Sequence, residues 1–84
     1  MPMVTVRYFA GARAAAGVSI EDLELADGAT VADVLDVVTT RHGEQLSKVL
    51  AACSFLLNSV AVRDRIVLLP PRAELDVLPP FAGG

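Results

Sequence analysis

The sequence predicts an α+β fold, a small mixed β-sheet with one main helix packed across it. Three observations carry that expectation. The chain opens on strict apolar/polar alternation, a single stretch at 31–38 repeats apolar residues at helical spacing, and short apolar runs punctuated by turn residues follow it. With 84 residues, 54% of them hydrophobic and 20% charged, the composition is that of one folded domain, 1–84, with a single modest core.

The first strand is expected over residues 3–9, with Val4, Val6 and Tyr8 on one face and Thr5 and Arg7 on the other. Residues 10–16 are rich in alanine between Gly11 and Gly17, good helix material but short, and read as one helical turn within a loop. Residues 19–25 read as a second strand, because Leu23 and Leu25 alternate with Asp22 and Glu24; Ile20 falls out of phase. Thr30 is placed to cap the main helix, with Asp33 reaching back in a variant of the capping box. Val31, Val34, Leu35 and Val38 form its apolar stripe, and Arg41-His42-Gly43 marks its end.

Leu46, Val49 and Leu50 repeat the helical spacing in a shorter segment over 44–52. Residues 53–57 then read as a buried strand, Asn58-Ser59 as a turn, and Val60 and Val62 as a short partner strand. Arg63-Asp64-Arg65 is a polar break, and residues 66–69 before Pro70-Pro71 have no clear place. The last strand is expected over 74–78, with Leu75 and Val77 inward, Asp76 outward and Leu78 sharing the parity of Asp76. One long helix across a small mixed sheet is the β-grasp architecture of ubiquitin. A ferredoxin-like fold would need two full crossover helices, and the second helical segment is too short for one.

Composition excludes several function classes. A net charge of −3, no basic cluster and four aromatic residues leave no footprint for nucleic acid, and favour a partner that is positive where the two meet. Met1-Pro2-Met3 lacks the basic start of a signal peptide and no run approaches a membrane span, so a cytoplasmic protein without membrane contact is expected. Cys53 has no second cysteine to pair with and reads as a core residue.

Catalytic constellations are missing: there is no P-loop, no GxGxxG after a strand, no HExxH and no zinc-spaced Cys/His set. His42 reads as a solvated residue in the helix's last turn, Asp33 and Asp36 as its wet face, and Arg63 and Arg65 as a solvated loop with partner contact as the alternative. No stable cofactor and no metal site are expected on this chain.

What remains is the end, Pro79-Pro80-Phe81-Ala82-Gly83-Gly84. Pro79 and Pro80 lack donor N–H groups, so they should stop the strand and make 79–84 a projecting tail. Phe81 to Gly84 can extend by roughly 13–14 Å, enough to enter a deep pocket. Gly83 and Gly84 have no Cβ, so the backbone fits a narrow slot and the last carbonyl carbon is open to attack. A terminal carboxyl has a pKa of about 3.3–3.7 and is a poor electrophile as the anion. Activation must come from another protein.

These residues resemble the MoaD family, the ubiquitin-like sulfur carriers that form the small subunit of molybdopterin synthase. The likeness runs the full length: V-T-V-R-Y-F-A at Val4 to Ala10, A-R-A-A-A-G at Ala12 to Gly17, G-A-T-V at Gly28 to Val31, and D-V-L-P-P-F-A-G-G at Asp76 to Gly84. The terminal motif is the specific one; the upstream pieces are weak singly. In that family a MoeB-like, E1-like adenylating enzyme uses ATP to adenylate the terminal glycine, and a sulfur donor such as a rhodanese or cysteine desulfurase converts it to a thiocarboxylate. The tail then enters a MoaE-like large subunit, which holds the catalytic lysines, and gives sulfur to precursor Z, cyclic pyranopterin monophosphate, within a heterotetramer.

The resemblance therefore implies that Gly84 carries the sulfur and Gly83 gives clearance. It also implies that Leu78, Pro79, Pro80, Phe81 and Ala82 meet the partners. Many members have a Gly-Asp turn before the last strand where this chain has Arg72-Ala73, which puts that turn in question. Carriers for thiazole or cysteine synthesis share the fold and the Gly-Gly, and a ubiquitin-like interaction module or protein modifier is the alternative of another class.

Overall fold

In the computed structural model, which describes residues 2–80, the opening alternation becomes β1 (Met3–Tyr8), with Val4, Val6 and Tyr8 buried. β1 pairs antiparallel with β2 (Ile20–Glu24) and parallel with β5 (Arg72–Leu78). On its other side β5 pairs antiparallel with β3 (Ser54–Leu57), which pairs with the two-residue edge strand β4 (Val60–Ala61). The order β2-β1-β5-β3-β4 makes a mixed sheet whose two middle strands are nearly the whole sequence apart.

The phase error at Ile20 resolves in this register. Ile20 lies on the outer face with Asp22 and Glu24, 55% exposed, and the inward slot opposite Val6 goes to Glu21. Asn58 and Ser59 both take positive φ, 48° and 70°, which gives a two-residue hairpin the twist its strands need. The Asn58 side chain fastens the turn to β5, accepting from the Glu74 N–H at 2.7 Å and donating to the Arg72 carbonyl at 3.3 Å.

Three helices and the inner face of the sheet enclose the core. α1 (Ala10–Ala16) is a full seven-residue helix rather than the single turn expected; it buries Ala12 and Ala16, packs against α3 (Glu44–Leu50) and ends at Gly17 in the left-handed conformation, φ 80°. Tertiary packing and this cap supply what a short helix lacks alone. α2 (Val31–His42) buries Val31, Val34, Leu35 and Val38. Leu46 and Leu50 of α3 are buried beside Leu75, Val77 and Phe55 of the sheet in the same core.

The start of α2 explains the segment that had no clear place. Thr30 and Asp33 form the capping box, the Asp33 N–H donating to Thr30 Oγ1 and the Thr30 N–H to Asp33 Oδ2. The next two free amides, of Val31 and Ala32, donate to the carbonyls of Val67 and Arg65 at 3.2 and 2.8 Å. Leu68 bridges Thr30, and the Leu69 N–H donates to Ala29 at 3.0 Å. Residues 65–69 thus satisfy the helix's N-terminal donors, groups that have no partner within a helix.

Arg72-Ala73 forms no turn. Both residues open β5 as register partners of Met3 and Val4, and Ala73 is buried.

Candidate functional site

β5 is held on both sides up to its last residue: Tyr8 faces Val77, Leu78 faces Ser54, and the Phe9 N–H donates to the Val77 carbonyl at 3.3 Å. Leu78 and Pro79 are half-buried and Pro80 is exposed, so the rigid sheet reaches to the prolines. The remaining predicted site residues, Phe81, Ala82, Gly83 and Gly84, lie outside the described residues.

Two polar clusters brace this strand end. On the outer face, Arg7 donates through Nε to Asp76 Oδ1 at 2.6 Å and through Nη2 to Oδ2 at 3.0 Å, with Glu74 3.7 Å away. The Asp76 hydrogen bond, then its charge, raises the Arg7 pKa further. Asp76 has the outward parity expected, yet it is 8% exposed because the guanidinium covers it. Its burial corrects the reading of a wet outward residue.

On the inner face, Glu21 gathers three donors. Tyr8 Oη lies 2.6 Å and His42 Nε2 2.5 Å from Glu21 Oε2, and Arg41 Nη1 lies 2.9 Å from Oε1. Burial pushes the Glu21 carboxyl up, but the hydrogen bonds from Tyr8, His42 and Arg41 outweigh it and hold the pKa below its ordinary value. Burial first, then the bond to Glu21, raises the Tyr8 phenol. The Tyr8 and His42 rings meet edge to face at 5.9 Å. His42, expected in solvent, has a side chain only 13% exposed and ties the end of α2 to the sheet. Its spacing from Glu21 in sequence gave no signal; the inward parity of Glu21 on a wet-faced strand was the available one.

Cys53 sits just before β3, half-buried, its Sγ donating to the Val49 carbonyl at 3.2 Å. Burial raises its pKa, opposed in part by Arg65, so the thiol is a poor nucleophile. Asp36 is exposed, Asp33 belongs to the helix cap, and Arg65 stacks over Phe55 at 5.0 Å. Among the described residues no group of three or more His, Cys, Asp or Glu is placed to hold a metal ion. No described helix is long and apolar enough to cross a membrane.

A five-stranded mixed sheet with its helices on one face and a braced strand leading out defines a ubiquitin-like β-grasp protein. The chain belongs to the ThiS family, whose model matches residues 6–84. It is 37% identical over 82 residues to the molybdopterin synthase sulfur carrier subunit of Chlamydomonas reinhardtii, a match covering 96% of this chain and 98% of that one. Among solved structures it is similar to the putative molybdopterin converting factor, subunit 1, from Pyrococcus furiosus, with a TM-score of 0.86, 29% identity and 96% and 100% of the two chains covered. Small archaeal modifier protein 1 from Methanosarcina acetivorans gives a TM-score of 0.82 and 29% identity over 100% of this chain and 98% of that one.

Proposed function

We propose that this chain is the sulfur carrier subunit of a molybdopterin synthase. The observation that carries the reading is the near end-to-end likeness to a relative of that name, joined to a central strand that leads into Pro79-Pro80 and the sequence Phe81-Ala82-Gly83-Gly84. The strand is the mount and the last residues are the arm. On an E1-like, MoeB-like enzyme a Gly84 carboxylate oxygen attacks the α-phosphorus of ATP and pyrophosphate leaves. A sulfur nucleophile supplied by a rhodanese or cysteine desulfurase then attacks the carbonyl carbon, the C–S bond forms, and AMP departs with the oxygen. The thiocarboxylate enters the MoaE-like large subunit and passes its sulfur to precursor Z, leaving Gly84 as a carboxylate again. Two small and two large subunits form the working complex.

In this reading Gly83 gives clearance, Phe81 anchors, and Leu78, Pro79, Pro80 and Ala82 line the approach. The carrier itself holds no cofactor, acts in the cytoplasm, and is a co-substrate rather than a catalyst. The likeness to small archaeal modifier protein 1 favours one second reading, in which the tail is joined to amines on other proteins. Carriers for thiazole or cysteine synthesis differ only in the acceptor.

One reconstitution separates these. The chain is incubated with ATP, the E1-like enzyme and a sulfur source, and then with the large subunit and precursor Z. The expected result is an intact mass raised by sulfur minus oxygen, followed by molybdopterin formation. Branched conjugates of much larger mass would replace this reading with the modifier, and a thiocarboxylate that yields no molybdopterin would move it to another sulfur pathway.

A further inference from the structure

Residues 60–68 present an apolar surface that the function above does not use. Val60, on the edge strand β4, is 67% exposed, Ile66 71%, Val67 42% and Leu68 64%. Leu57 and Val62 floor a groove between the hairpin and this loop. Contiguous apolar exposure of this kind marks an interaction surface, whereas single scattered residues do not. The backbone beneath is fixed, because the carbonyls of Arg65 and Val67 accept from the first turn of α2 and the Leu69 N–H donates to Ala29. The side chains are thus held out on a rigid support.

The charges on its rim point to what covers it. A partner drawn by the chain's net charge of −3 would be basic, but this rim carries Arg63 and Arg65 with Asp64 between them. Arg63 makes no ion pair among the described residues. Asp64 uses Oδ1 to accept from the Ile66 N–H at 3.1 Å, and Oδ2 has no partner among the described residues. An unpaired cation beside an unpaired carboxylate oxygen is its own complement under a two-fold rotation.

We propose that a second copy of the chain docks on this surface about a two-fold axis, Val60, Ile66 and Leu68 against their equivalents, with Arg63 of one copy beside Asp64 of the other. The arrangement leaves the strand end free. Leu68 bridges Thr30 at the start of α2, whereas His42 at its end touches Tyr8 beside Val77, and a helix of 12 residues separates the two by about 18 Å. Both copies can therefore present their C-terminal segments at once.

Sedimentation velocity of the full chain from micromolar to millimolar concentration tests this. A concentration-dependent dimer is expected, with I66S/L68S raising its dissociation constant at least tenfold while circular dichroism and the melting temperature stay unchanged. R63E and D64R are each expected to weaken the dimer, and an equal mixture of the two to restore it, since the mixed pair re-forms both contacts. A wild-type monomer throughout would overturn the proposal and leave the surface to a different protein. A dimer insensitive to I66S/L68S, or no restoration on mixing, would overturn it equally.

Discussion

Arg7 and Asp76 are register partners on the two middle strands, and their side chains close a two-point fork across the outer face, two residues before β5 gives way to Pro79. A parallel strand pair gains little from its slanted backbone bonds, so a planar fork on one rung adds register where the strand must hold its aim.

Asp76→Ala should lower the melting temperature, because Arg7 keeps only the longer approach to Glu74. Adding Arg7→Ala should cost less than the same change in the wild type, since its main partner is already gone. Thermal melts of the four proteins in a double-mutant cycle check this, and strictly additive losses would mean that the fork carries no coupling.

Glu21 predicts the acid limb of stability. Its folded pKa lies below the ordinary value of 4.5, so the unfolded chain takes up the proton first as pH falls. Its contribution is complete above the ordinary value and is lost as pH drops through the lower folded one. Glu21→Ala should cost about 1–3 kcal/mol at neutral pH, from donors left unmatched, and flatten the decline in acid. Urea titrations from neutral pH down through the carboxylate range measure both effects.

Leu46 is fully buried where α3 meets the core. Leu46→Ala should destabilise by about 2–5 kcal/mol through lost transfer energy and an unfilled cavity. Equilibrium denaturation with an unchanged m-value is the check.

For the carrier role, deletion of Gly84 should abolish molybdopterin formation with the melting temperature nearly unchanged. Phe81→Ala should weaken large-subunit binding by about 2 kcal/mol or more, as for an anchor in a pocket, and calorimetry reads it directly.

Cys53→Ser should leave sulfur transfer intact with a modest stability loss, because the thiol is half-buried, bonded to Val49 and held protonated. A folded but inactive variant would place sulfur chemistry on Cys53.

The regular elements were legible because each leaves a periodic trace: the Val31, Val34, Leu35, Val38 stripe is buried as read, and Val4, Val6 and Tyr8 face the core. What escaped has no period. Residues 65–69 are organised by bonds to the start of α2, more than thirty positions away, and such a pairing writes nothing into the local pattern. His42 and Asp76 were misread for a related reason. Each is a polar residue at a position that looks wet in sequence, and each is buried by one partner, Glu21 or Arg7, brought in by the fold. Among the tail residues, Leu78 keeps the outward parity expected, half-buried beside Ser54.

The central place of β5 has a consequence for biosynthesis. Its neighbours β1 and β3 are joined through it, so a chain still being synthesised has no middle to its sheet until residue 78 has cleared the ribosome. Such long-range closure comes late, because the loop entropy must be met before the contacts form. A truncated or stalled product would lack the closing strand, and an activating enzyme that binds the finished sheet would reject it. The same strand that aims the sulfur-bearing end thereby certifies that the body behind it is complete.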